Sequence, residues 1–154
     1  MTMSSKEMVD LCLQHSLFSW SATGKIDPMP IARAEGIYLY SPDGQRWIDW
    51  NSQLMSVNIG HGHPHVIKAI AEQAQTLIFA YPGMATEVRA RLSKRLADLC
   101  PGDINTFFYT LGGAEANENA IKAARQYSGR HKILVRYRSY HGATHGAISL
   151  TGDP

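Results

Sequence analysis

Residues 107–122, Phe-Phe-Tyr-Thr-Leu-Gly-Gly-Ala-Glu-Ala-Asn-Glu-Asn-Ala-Ile-Lys, constrain this chain more than any other stretch. The aromatic run Phe107-Phe108-Tyr109 suits a buried strand, and Gly112-Gly113-Ala114 reads as a turn. From Ala116 the apolar residues fall at 116, 120, 123, 124 and 127, one face of a helix. A helix start has unpaired backbone N–H groups and the positive end of the peptide dipole, so it can hold an anion such as phosphate. Glycines at 112 and 113 remove the side chains that would block that approach. The reading is strand, anion-binding turn, helix.

The next stretch extends it. Lys132 to Arg138, with the apolar run Ile133-Leu134-Val135, reads as a second strand ending at Tyr140-His141-Gly142. Strand, helix, strand implies a parallel pair joined by a right-handed crossover, with ligands beyond the carboxyl ends of the strands. Both the Gly112–Ala114 turn and Tyr140-His141-Gly142 belong at that edge. An aromatic ring beside a phosphate cradle points to a phosphorylated aromatic cofactor. A nicotinamide-binding fold is disfavoured, because Leu111-Gly112-Gly113-Ala114-Glu115-Ala116 lacks the Gly-x-Gly-x-x-Gly spacing.

Ahead of this, Asp27-Pro28-Met29-Pro30 interrupts any helix. Gly36 to Tyr40 and Arg46 to Trp50 alternate as strands around Ser41-Pro42-Asp43-Gly44, turn chemistry that predicts a hairpin. Asp43 is read as a turn residue, and Asp49, between Ile48 and Trp50, as buried or capping, with no reaction role. His61-Gly62-His63-Pro64-His65 places three imidazoles within five residues. Pro64 suits the first turn of a helix whose inner face is Val66, Ile70, Ala74 and Leu77, and no neighbouring ligands complete a metal tetrahedron. No metal is expected. A short helix is expected within residues 1–14, and another from Thr86 to Leu99 with Arg89, Arg91, Lys94 and Arg95 on a solvated face.

Fifteen Lys and Arg against thirteen Asp and Glu leave a net charge of +2, too small to argue for nucleic acid. No apolar run approaches the roughly 20 residues that span a bilayer. Met1 to Asp10 lacks the pattern of a secretory signal. Two distant cysteines, Cys12 and Cys100, fit reduced thiols in a cytoplasmic protein.

With these motifs in view, the chain resembles the class III (omega) aminotransferases, pyridoxal-phosphate enzymes of fold type I. The matching stretches are Gly112-Gly113-Ala114-Glu115-Ala116-Asn117-Glu118, Tyr140-His141-Gly142, Asn58-Ile59-Gly60-His61-Gly62-His63-Pro64, and Gly36-Ile37-Tyr38-Leu39-Tyr40 leading to Asp43-Gly44. The resemblance runs from about residue 15 to the end. It implies an α/β fold: a mainly parallel sheet with flanking helices, preceded by a small β-hairpin segment, with the sheet incomplete in this chain. Residues 1–63 would form the N-terminal segment with the hairpin, and 64–154 the start of the large cofactor domain. At 154 residues the chain is expected to be the N-terminal part of a longer enzyme, inactive by itself.

The resemblance also implies roles. Pyridoxal 5'-phosphate would be held by backbone N–H groups at Gly112, Gly113 and Ala114, with Tyr140 stacked on its ring and His141 supporting the ring's surroundings or serving a structural part. Family members usually carry Ser-Gly-Ser or Ser-Gly-Thr at 112–114. The change removes hydroxyl contacts to the phosphate, which bears on affinity rather than on identity. Trp20 (or Phe18), Met55 and Tyr81 would approach the substrate; anchoring and core packing are the plain alternatives for Trp20 and Met55. The cofactor lysine, the aspartate for the pyridine nitrogen and the carboxylate-binding arginine match nothing here, so no catalytic residue is assigned. Amine and 2-oxo acid substrates and a homodimer with interfacial sites are implied. Aminomutase, decarboxylase or racemase activity on the same fold, or a non-catalytic cofactor-binding fragment, are the rival readings.

Overall fold

The computed structural model describes residues 3–22 and 24–152. They gather into two compact units that meet in sequence between Tyr81 and Pro82.

In the first unit, α1 (Ser5–His15) starts where the Ser4 hydroxyl accepts the Glu7 N–H, 3.3 Å away, and a Glu in the first turn complements the dipole. An antiparallel sheet follows, ordered β1 (Arg33–Glu35), β2 (Tyr38–Tyr40), β3 (Arg46–Ile48). Leu39 sits opposite both Ala34 and Trp47 and is buried. The expected hairpin is present as β2 and β3. Its turn closes through Ser41, whose N–H donates to the Gln45 carbonyl and whose hydroxyl accepts the Gln45 N–H, each at 3.0 Å. Arg33 lies 3.5 Å above the Tyr40 ring and Arg46 4.5 Å above that of Tyr38, cation–π contacts that span the strands. Strand β1 was not expected, because Arg-Ala-Glu carries no apolar alternation and joins through its backbone.

After β3 the chain makes α2 (Ser52–Met55), a single turn whose residues all have positive φ. Then α3 (Pro64–Thr76) begins at Pro64, as expected. Its expected inner face is open instead: Val66, Ile70 and Leu77 are exposed and line a shallow groove with Ala69, Ala74 and Ile78. Periodicity names the apolar stripe but does not supply the surface that covers it.

The second unit holds α4 (Glu87–Leu99), α5 (Gly113–Ser128) and α6 (His145–Leu150). Arg89, expected on a solvated face, donates through Nη1 to the carbonyls of Pro82 and Met84 at 2.9 and 3.0 Å, closing the turn that leads into α4. Helix α5 ends at Gly129 in the left-handed conformation.

The strands expected at 107–109 and 132–138 do not form ladders: the described residues 104–110 and 129–136 are without strand pairing. A parallel strand exists through a ladder of backbone bonds to a neighbour; among the described residues neither segment forms one, and only the end of the second is tied, by the Arg138 N–H donating to the Gly152 carbonyl at 2.8 Å. Phe108 and Leu134 are correspondingly exposed. Tyr109 is tied to α4 through its hydroxyl, 2.9 Å from that of Ser93. The apolar face expected on α5 (116, 120, 123, 124, 127) is also open, while 114, 117, 118 and 121 face inward.

The chain's accessible surface is 13200 Å². A compact protein of 17.1 kDa would expose about 7,700 Å², and two independent units of half that mass about 9,400 Å². Leu111, Tyr127 and Leu134 are among the large apolar side chains left exposed. Among the described residues only Leu39, Ile121 and Ala147 form buried hydrophobic core.

Candidate functional site

Two of the predicted motifs come together in the second unit. Gly112 is the N-cap of α5 in an extended conformation and supplies no side-chain cap, so the first-turn N–H groups are left without a side-chain acceptor. A Cβ built at Gly112 or Gly113 meets nothing within 4 Å, so the approach to those N–H groups is open. The Glu115 carboxylate reaches back to the Leu111 N–H at 2.9 Å, in the manner of a capping box.

The Tyr140-His141-Gly142 segment packs onto this helix start. A Cβ at Gly142 would lie 2.5 Å from Ala114 Cβ and 2.8 Å from its Cα, and Gly142 also has a φ of +133°. Only glycine meets both conditions. Asn117 Nδ2 donates to the His141 carbonyl at 2.6 Å, and the His141 N–H donates to Thr151 Oγ1 at 3.1 Å. His141 is thereby fixed at both ends of its peptide, while its Nε2 is buried with no hydrogen-bond partner among the described residues. Tyr140 is 48% exposed.

Glu118 holds the far end of the same segment. Its Oε1 accepts the Thr144 hydroxyl at 2.6 Å, the Gly146 N–H at 2.7 Å and the Ala147 N–H at 3.0 Å, capping α6 from α5. The Thr144 hydroxyl, then the Ala147 and Gly146 N–H groups, hold its carboxyl below the usual 4.5, against the opposing effect of desolvation. A Cβ at Gly146 would fall 2.2 Å from Glu118 Oε2, so the carboxylate would have to shift to admit it. Asn117 and Glu118 stand in the motif that carries the family resemblance, but apolar periodicity gives them no role. Their signal was spacing: 114, 117, 118 and 121 are i, i+3, i+4 and i+7 of one face.

Of the residues expected near substrate, Trp20 and Met55 lie in the first unit and are exposed, and Tyr81 is its last residue. Trp20 has a φ of +64°. Met55 ends a left-handed turn in which Ser52, Gln53, Leu54 and Met55 have φ of 50, 51, 55 and 61°. Each such non-glycine residue costs on the order of 1–2 kcal/mol.

Asp49 and His61 meet beside that turn, Oδ2 to Nε2 at 2.7 Å, with the side chains 4% and 14% exposed. The hydrogen bond with His61 holds the Asp49 carboxyl below its usual 3.8, burial opposing it. Asp49 is thus both buried and capping. His63 is the N-cap of α3, and among the described residues no three His, Cys, Asp or Glu side chains gather as a cation site. Both cysteines are free.

A glycine helix start with open N–H groups is thus packed against a Tyr-His-Gly segment. The family model for class III aminotransferases matches residues 21–154, and the chain belongs to that family. It is 40% identical to a probable aminotransferase of Mycobacterium tuberculosis over 131 residues, covering 80% of this chain and 28% of that protein. It is also 40% identical to the isoleucine 2-epimerase of Lentilactobacillus buchneri over 125 residues, covering 80% of this chain and 28% of that protein. Among solved structures, the taurine:2-oxoglutarate aminotransferase of Bifidobacterium kashiwanohense, in complex with PLP and glutamate, superposes with a TM-score of 0.88 at 40% identity. That match covers 99% of this chain and 34% of the solved one. The chain therefore spans about a third of the length of the proteins it matches, with the α/β fold of PLP-dependent transaminases.

Proposed function

We propose that these residues form the N-terminal part of a pyridoxal-phosphate-dependent aminotransferase that moves an amino group from an amine or omega-amino acid to pyruvate or another 2-oxo acid. The observation that carries this reading is the packing of Gly142 on Ala114, which sets Tyr140 and His141 at the open start of α5. The residues fit the cofactor: open backbone donors for a phosphate, an accessible aromatic ring, and a buried imidazole nitrogen still lacking a partner. Bound there, pyridoxal phosphate supplies the electron sink that amino transfer needs.

This chain's own residues bind and orient. The N–H groups at Gly112, Gly113 and Ala114 neutralise phosphate charge without a lysine or arginine. Tyr140 covers one face of the ring, and Asn117 and Thr151 keep the His141 peptide from shifting. Trp20, Met55 and Tyr81 border the substrate entrance. The base that moves the proton is contributed by residues other than these, as is the carboxylate-binding cation. A homodimer with interfacial sites is part of the proposal, as are the domain split at 63/64 and a cytoplasmic compartment, the last supported by two free thiols.

A second reading, epimerisation on the same fold, has the likeness to an isoleucine 2-epimerase in its favour. One experiment separates them. The full-length protein is stripped of cofactor, reconstituted with pyridoxal phosphate, and given an amine with pyruvate, then a chiral amino acid with no acceptor. Cofactor-dependent alanine formation is expected. Loss of chirality without amino transfer selects the epimerase, and activity indifferent to the cofactor overturns both.

A further inference from the structure

The stretch from Arg138 to Gly152 closes on itself. The Arg138 N–H donates to the Gly152 carbonyl at 2.8 Å and the Gly152 N–H to the Ser139 carbonyl at 3.0 Å, which joins the two ends of the loop. Across its middle, Thr151 Oγ1 accepts the His141 N–H and donates to the Ala147 carbonyl, each at 3.1 Å. A loop tied at its neck and through its interior moves as one body, in the manner of an Ω-loop. Its position is then set by how that body is fastened to α5. Gly142 lies against Ala114, Asn117 donates to the His141 carbonyl, and Ala147 is fully buried. Glu118 makes the largest share of the polar contact, since one carboxylate oxygen takes the Thr144 hydroxyl and the Gly146 and Ala147 N–H groups together. Ala114, Asn117 and Glu118 are i, i+3 and i+4 on one face of the helix. Glu118 is therefore about 6 Å along the axis from Ala114, one turn below the open N–H groups.

We infer that Glu118 is a positioning residue for the cofactor: its carboxylate docks the closed loop on α5, so that Tyr140 and His141 are set against a ring whose phosphate is held at the first turn of the same helix. This rests on the reading that pyridoxal phosphate binds at the start of α5. Glu118 acts through the loop rather than on the cofactor. The helix thus carries the phosphate cradle on its first turn and the loop's fastening on its second, and one short rigid element fixes both. Two consequences follow from that division. The hold on phosphate uses the backbone N–H groups of α5 itself and does not need the loop. The hold on the ring needs the loop in its docked place, and so needs Glu118.

The test uses the full-length protein stripped of cofactor, with pyridoxal phosphate and inorganic phosphate titrated separately. Glu118→Ala is expected to weaken pyridoxal-phosphate binding about tenfold, the equivalent of one hydrogen bond to a charged group, and to leave phosphate binding unchanged. Glu118→Gln, whose amide oxygen can accept the same three donors, is expected to recover most of the loss. The visible circular dichroism per bound cofactor reports how the ring is set in its site. It should fall in Glu118→Ala and return in Glu118→Gln, a change that general destabilisation would not produce in the bound fraction. If Glu118→Ala does not fold, Thr144→Val at an exposed position removes one of the three donors, and the same split is expected on a smaller scale. Equal weakening of both ligands, or affinity and dichroism both unaltered, overturns the positioning role while the cofactor reading stands. An unmodified protein that binds no pyridoxal phosphate overturns that reading and the inference with it.

Discussion

Replacing Gly142 by alanine tests the contact on which the half-site depends. The new Cβ would sit 2.5 Å from Ala114 Cβ, 2.8 Å from Ala114 Cα and 3.0 Å from Ala147 Cβ. Comfortable carbon–carbon separations are about 3.5–4.0 Å, so the overlap is about an ångström, against atoms that no rotamer change can remove. Overpacking of this kind costs about 1–3 kcal/mol, and a non-glycine residue at a φ of +133° adds about 1–3 kcal/mol. The stiffer unfolded chain returns about 0.4–1 kcal/mol. The net is a loss of roughly 1–5 kcal/mol, a sizeable share of the 5–15 kcal/mol that folded proteins possess. Since relief requires the 140–142 segment to move off α5, pyridoxal-phosphate affinity should fall together with the denaturant midpoint. Adding Ala114→Gly removes the nearest opposing atom but leaves the Cα at 2.8 Å, so only part should return, about 1 kcal/mol. Urea denaturation and cofactor titration of the four members of this cycle provide the measurement. Strict additivity of the two substitutions, or a Gly142→Ala enzyme with unaltered stability and affinity, would refute the packing.

The remaining expectations concern charge and exposed surface. Glu118 has a carboxyl held below 4.5, so the stability it contributes is fully present above that value and is lost as pH falls through its lower folded value. In Glu118→Gln this acid-limb loss should shrink, seen as a flatter urea midpoint between about pH 6 and 3; an unchanged profile would show that the three donors at Oε1 do not govern it. The isolated 154-residue polypeptide should self-associate and fail to transaminate, because Leu111, Leu134, Tyr127 and Tyr137 are all at least 95% exposed. Size-exclusion chromatography with light scattering checks this, and a monodisperse monomer with a cooperative melt would contradict it.

Local chemistry made much of the fold legible. Pro64 placed the start of α3, Thr86 and the residues before Pro101 bracketed α4, and the Gly112-Gly113 pair marked the start of α5. Ser41 through Gly44 carried enough turn chemistry to place the hairpin, and the motifs around it pointed to the family. These features depend on backbone preference within a few residues, which any window of sequence contains.

Other features were decided only in three dimensions. The strands expected at 107–109 and 132–138 remain unpaired, because a strand's identity lies in its neighbour's hydrogen-bonding groups. Helix α5 turned its Asn117–Glu118 face inward rather than its apolar stripe, because polar groups 24 to 29 residues away, the His141 carbonyl as acceptor and the Thr144 hydroxyl and Ala147 N–H as donors, converge on it. Asp49 found His61 twelve residues on, and their pairing sustains a left-handed turn that no propensity would predict. Sequence by itself determined where most helices begin, where the hairpin turns, and the family. Tertiary structure decided which faces meet and which strain is tolerated, because both depend on groups brought close by folding rather than by sequence.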